Sequence, residues 1–178
     1  MDFPKVLASL SREFASRGVD FAVAGGLAIH ILGVQRTTAD IDVMAFLTDS
    51  DKIDEVMRTL GYETLQRSEQ FANYNSPDWE KGRVDILFAK RKYSSAMLRR
   101  AQSHTIFGFT VKVLQPSDLV GLKLQAIEND AERAPQDLAD IHHLMRLYGK
   151  SMDWELMKEY FELFDRGAEF DQLKKRYQ

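Results

Sequence analysis

Apolar residues recur at helical spacing from Phe3 to Ser16, with Phe3, Val6, Leu7, Leu10 and Phe14 near one face. This predicts an amphipathic helix with Pro4 in its first turn and Gly18 as its stop. The pattern then turns apolar and short over Val19–Ala24, which predicts a strand. Two glycines follow, then a short helix over Leu27–Leu32 that ends at Gly33. A second apolar run starts at Asp40 and continues through Phe46. Ile53, Val56, Met57 and Leu60 give the segment Asp51–Leu60 a helical stripe, capped by Asp49 or Ser50 and stopped by Gly61. Tyr62–Tyr74 holds one or two weak strands, and Arg83–Phe88 is a firm one. A short helix over Ser94–Ala101 precedes a hairpin, Thr105–Phe107 and Phe109–Leu114, turning at Gly108. From Pro116 the pattern is helical: Leu119–Glu128, Pro135–Tyr148 and Trp154–Phe164, with Phe170–Gln178 as one further turn or a frayed end.

The character of the chain therefore changes near residue 115. The expected organisation is a sheet domain over 1–115 and a helical subdomain over 116–178 packed against it across a ligand-binding cleft. The 178 residues suffice for such an arrangement. Twenty-seven acidic residues against 24 Lys and Arg leave a formal net charge of −3, so the balance itself demands no nucleic-acid partner. With no cysteine there is no disulfide framework, thiolate metal site or cysteine nucleophile. The opening MDFPKVLASLSREF lacks the basic-then-apolar order of a signal peptide, and no apolar run approaches spanning length, so the expected location is cytoplasmic.

The chemistry concentrates between Gly25 and Asp42. Alternation along a strand puts Asp40 and Asp42 on one face, with Ile41 and Val43 on the other. Aspartate is depleted in strands, so two on one face of an apolar strand call for a reason. One reason is a wet outer face; the other is a metal. Asp85, between Val84 and Ile86, supplies a third carboxylate if its strand lies alongside. Three carboxylates at one edge repel unless a cation compensates them, and hard oxygen donors suit Mg²⁺ or Mn²⁺ held together with a substrate phosphate. Asp85 is either the third ligand or the base for an acceptor hydroxyl.

Gly25 and Gly26 open a turn in which backbone amides can approach a phosphate, or simply a tight turn. No Gly-Lys-Ser/Thr follows, and the glycine spacing of a dinucleotide fingerprint is missing. Arg36 is placed to bind phosphate or to pair with the aspartates. Lys123 is either a point charge for phosphates or a solvated lysine on a helix surface. Asp137 is either a helix-end charge or a contact for Lys123 or substrate. His30, His142 and His143 lack metal-box spacing. Lys90-Arg91-Lys92, Tyr93 and Arg99-Arg100 form either an RNA path or a solvated basic face.

Together, AGGLAIHILGVQRTTADIDV, VDILF and LVGLKLQAIENDAERAPQDLADIHHL resemble the nucleotidyltransferase superfamily of the polymerase-beta type. The likeness is nearest to the branch of abortive-infection type toxin nucleotidyltransferases and their uncharacterised relatives. It spans roughly Phe21 to Leu144. Leu27 stands where many members carry serine or threonine, and Gln136 where the toxin relatives carry a second basic residue. The resemblance implies an α/β (α+β) fold, a mixed sheet flanked by helices with a C-terminal helical part. It matches Gly25 and Gly26 to the glycine pair, Asp40 and Asp42 to the metal-binding pair, and Asp85 to the third carboxylate. Lys123 and Asp137 match the helical motif. The implied activity is Mg²⁺- or Mn²⁺-dependent transfer of a nucleoside monophosphate from an NTP to a hydroxyl. Implied acceptors are a tRNA 3′ end or other RNA, or a small antibiotic-type molecule. An antitoxin-like protein partner is a further implication, and a non-catalytic binding member of the same fold is the alternative.

Overall fold

The structure, a computed structural model, describes residues 1–178. The chain forms two compact units, Met1–Leu114 and Gln115–Gln178.

The first unit is built on a seven-stranded mixed sheet. Its strands are β1 (Phe21–Val23), β2 (Asp40–Phe46), β3 (Glu63–Arg67), β4 (Phe71–Asn75), β5 (Arg83–Ala89), β6 (Gln102–Ile106) and β7 (Phe109–Val113). The spatial order is β3-β4-β5-β2-β1-β7-β6. The central strands β2 and β5 run parallel, as do β1 and β7, and the other neighbours are antiparallel. Helices α1 (Phe3–Ser16), α2 (Gly25–Ile31), α3 (Ser50–Thr59) and α4 (Lys92–Arg99) complete the unit.

The expected stripes account for the packing. Helix α1 buries Val6, Leu7, Leu10 and Phe14, and α3 buries Ile53, Val56 and Met57. Pro4 sits in the first turn of α1, where Asp2 caps the helix by accepting from the Lys5 amide at 3.1 Å. Phe14 meets Phe21 edge-on at 5.2 Å, fixing α1 against β1. Alternation on β5 buries Val84, Ile86 and Phe88 and leaves Arg83 and Asp85 on the opposite face. Strand β3 is exposed along its whole length and forms one edge of the sheet, which explains its faint apolar signal.

The second unit comprises α5 (Pro116–Asn129), α6 (Ala134–Tyr148), α7 (Trp154–Glu162) and α8 (Gly167–Tyr177). A fully buried Asp118 accepts a hydrogen bond from the Tyr160 hydroxyl at 2.8 Å. Gly121 leaves room for the Tyr160 ring, since a Cβ there would lie 2.8 Å from Cδ2. The C-terminal segment is more ordered than its polar sequence suggests. Phe170 and Leu173 are buried, Phe170 packs edge-on against Trp154, and the Tyr177 hydroxyl lies 3.0 Å from His142 Nδ1. These contacts hold an 11-residue helix where one turn or a frayed end was expected. No helix of the structure is long and apolar enough to cross a membrane.

Candidate active site

Parallel pairing of β2 with β5 sets the site. Its register puts Asp42 directly beside Asp85, and Asp40 beside Arg83. Adjacent strands lie about 4.8 Å apart, so carboxylates at paired positions must meet. Oxygens of Asp40, Asp42 and Asp85 lie within 4.8 Å of one another, and all three residues are partly exposed. The flanking Ile41, Val43, Val84 and Ile86 are fully buried on the other face. Polar chemistry and core therefore occupy opposite sides of the same two strands.

Neighbouring side chains fix the carboxylates. The Thr38 hydroxyl donates to Asp40 Oδ1 at 2.8 Å from the loop ahead of β2. Asp85 Oδ1 accepts twice, from Asn73 Nδ2 at 2.7 Å and from Arg83 Nε at 2.8 Å. Asn73 reaches it because β4 pairs with β5 so that Asn73 stands opposite Asp85. Arg83 reaches it from two residues back on the same strand face. The hydrogen bond to Asp85, joined by the fields of Asp85, Asp40 and Asp42, pushes the Arg83 pKa above its ordinary value.

The two glycines have a local steric reason. Gly25 is the first residue of α2 and has φ of +57°, a left-handed conformation. A Cβ there would stand 1.9 Å from Asp42 Oδ2, so the turn lies directly against this carboxylate. At Gly26 a Cβ would stand 2.1 Å from Arg36 Nη1 and 2.7 Å from Thr38 Oγ1. The pair thus seats the α2 turn on Asp42, Arg36 and Thr38. His30, on the same helix, is exposed.

Lys123 and Asp137 meet in the helical unit. Lys123 is buried on α5, with Nζ 2.6 Å from Asp137 Oδ1 and 2.8 Å from Asp140 Oδ2. Arg133 Nε adds a contact to Asp137 Oδ2 at 3.2 Å. The three-residue spacing of Asp137 and Asp140 places both on one face of α6, toward the lysine. Of the basic run near α4, Lys90 pairs with Glu69 at 2.5 Å, Lys92 lies 5.5 Å from the Tyr93 ring centroid and Arg99 5.8 Å from that of Phe46. Sequence reasoning passed over Asn73, Arg83 and Asp140. The i,i+2 spacing of Arg83 and Asp85 was the available signal for one of them.

Three carboxylates thus meet on two adjacent parallel strands behind a glycine turn. The family model for the uncharacterised nucleotidyltransferases matches residues 5–163, and the chain belongs to that family. Solved structures share its fold. The antibiotic-resistance factor ANT(2'')-Ia is similar with a TM-score of 0.68 at 15% identity, over 99% of this chain and 98% of that one. The lincomycin-bound lincosamide antibiotic adenylyltransferase LnuA is similar with a TM-score of 0.59 at 14% identity, over 80% of this chain and 96% of that one. An antigenic nucleotidyltransferase-like protein from Paracoccidioides brasiliensis is similar with a TM-score of 0.58 at 19% identity, over 98% and 92%. A comparison with the curated proteins finds no match.

Proposed function

We propose that the chain transfers a nucleoside monophosphate from an NTP to a hydroxyl group, with Asp40, Asp42 and Asp85 holding Mg²⁺ or Mn²⁺. The observation that carries this reading is the approach of three carboxylates to within 4.8 Å on paired strands. The donor set fits the group: all oxygen, anionic and hard, as small divalent cations require. A divalent cation there supplies Lewis acidity to the reacting phosphate and acidifies the attacking hydroxyl.

The chain's own residues orient these components. Thr38 fixes Asp40, and Asn73 and Arg83 fix Asp85. Gly25 allows backbone to lie against Asp42, and Arg36 sets a guanidinium beside Gly26, where triphosphate charge needs compensation. In the transfer, the acceptor oxygen bonds to the α-phosphorus while the bond to pyrophosphate breaks. Asp85 is proposed as either the third ligand or the proton acceptor for the attacking hydroxyl. A functional role is also proposed for Lys123 and Asp137, which pair with each other within the helical unit.

For the acceptor, we favour a small hydroxylated compound over a tRNA 3′ end. Two proteins of similar fold are named for antibiotics, one of them an adenylyltransferase. The test is transfer of label from each α-labelled NTP, with Mg²⁺ or EDTA, to aminoglycosides, lincosamides or total tRNA. Metal-dependent labelling of a small acceptor, abolished by Asp42→Ala, supports the proposal. Labelling of tRNA alone moves the acceptor to RNA and the reading to the toxin-like branch, where an antitoxin-like partner is the next thing to seek. Binding of NTP without transfer to any acceptor favours a non-catalytic member of the fold.

A further inference from the structure

We infer that Arg83 is the resident counter-cation of the carboxylate triad, and that it sets how tightly the site holds a divalent ion. This rests on the metal-site reading of Asp40, Asp42 and Asp85. Three carboxylates within 4.8 Å of one another repel, and positive charge nearby relieves that repulsion. Arg83 stands beside Asp40 in the β2–β5 register and donates Nε to Asp85 Oδ1 at 2.8 Å. A guanidinium does not lose its proton, so this charge can leave the triad only by movement of the side chain. Its side chain is 47% exposed, which gives it room to turn into solvent.

Asn73 separates charge from orientation. It donates to the same Asp85 oxygen at 2.7 Å and is neutral. Without Arg83, Asp85 keeps the Asn73 donor that orients it, and the site loses a positive charge together with one of the two hydrogen bonds to Asp85 Oδ1. A dication entering the triad must meet the Arg83 charge on a shared ligand. Even at the dielectric of bulk water, that repulsion between a dication and a single charge about 6 Å apart is worth roughly threefold in affinity with salt screening and roughly tenfold without it. The ion-free protein gains from Arg83 what ion binding loses, so the residue acts as a threshold on loading.

The inference is tested with the full chain and Mn²⁺ alone, without nucleotide. Mn²⁺ affinity is measured by electron paramagnetic resonance and calorimetry for wild type, Arg83→Gln, Arg83→Lys, Asn73→Ala and Asp42→Asn. Melting of each is followed with and without Mn²⁺. The expected result is three- to tenfold tighter Mn²⁺ binding in Arg83→Gln, roughly as the charge estimate gives, with a lower ion-free melting temperature and a larger stabilisation by Mn²⁺. Arg83→Lys restores wild-type affinity, and Asn73→Ala weakens binding. Equal or weaker binding in Arg83→Gln, while Asp42→Asn abolishes it, overturns the role of Arg83 and leaves the metal site standing. Absence of Mn²⁺ binding by wild type at millimolar concentration overturns both.

Discussion

Gly25→Ala probes the tightest contact in the site. An added Cβ would lie 1.9 Å from Asp42 Oδ2 and 2.5 Å from its Cγ, so the carboxylate must move by more than an ångström. The residue also sits at φ of +57°, where an L side chain costs roughly 1–2 kcal/mol. Gly18 isolates that backbone cost, because it has φ of +66° and nothing within 4 Å of an added Cβ. Gly→Ala also restricts the unfolded chain, which offsets about 0.4–1 kcal/mol. Gly18→Ala should therefore cost about 1 kcal/mol net. Gly25→Ala adds overpacking of about 1–3 kcal/mol, for a total near 2–4 kcal/mol. At about 2–4 °C per kcal/mol for a chain of this size, melting falls by roughly 4–16 °C. Paired thermal melts of the two variants measure the difference, and Mn²⁺ titration reports the displacement of Asp42. Equal melting temperatures for the two variants, with unchanged Mn²⁺ binding in Gly25→Ala, would refute the reasoning.

Other outcomes follow from the same geometry. Asp42→Asn should abolish Mn²⁺ binding while the chain still unfolds cooperatively; calorimetry and melting check both. Lys123→Met leaves Asp137 and Asp140 buried without their shared cation and should cost about 3–5 kcal/mol in urea unfolding. Tyr160→Phe removes a donor to buried Asp118 and should cost about 1–3 kcal/mol by the same assay. Burial pushes the Tyr62 phenol up to about 12. Burial, with a hydrogen bond to Asp54, also raises that of Tyr74. Both stay neutral in the folded chain after they ionise in the unfolded one. Their stabilisation is therefore complete below pH 10 and lost as pH rises from 10 toward 12, and Tyr62→Phe should flatten that decline in pH-dependent unfolding.

The strands and helices that were legible in the sequence are those with a buried stripe or strict alternation. Asp40–Val43 and Arg83–Phe88 alternate because one face is core and the other carries the carboxylates. Tyr62–Tyr74 was faint because β3 buries nothing and so leaves no periodic mark. The last helix was understated because its anchors, Phe170, Leu173 and Tyr177, are spread among lysines and gain meaning only against Trp154 and His142. At the site, the three aspartates stood out as charges in apolar strands. Their adjacency depends on the parallel register of β2 with β5, which no local pattern encodes. Asn73, from the faint region, and the Asp140 contact to Lys123 likewise depend on tertiary pairing.

A crystal grown with Mn²⁺ and a non-hydrolysable NTP, with data collected at the manganese absorption edge, tests the central claim most directly. The account predicts an anomalous peak at bonding distance from Asp40, Asp42 and Asp85, with Arg83 turned off Asp85 and phosphate oxygens completing the coordination. Density for the nucleotide elsewhere, with no peak at the triad and Arg83 still on Asp85, would contradict it.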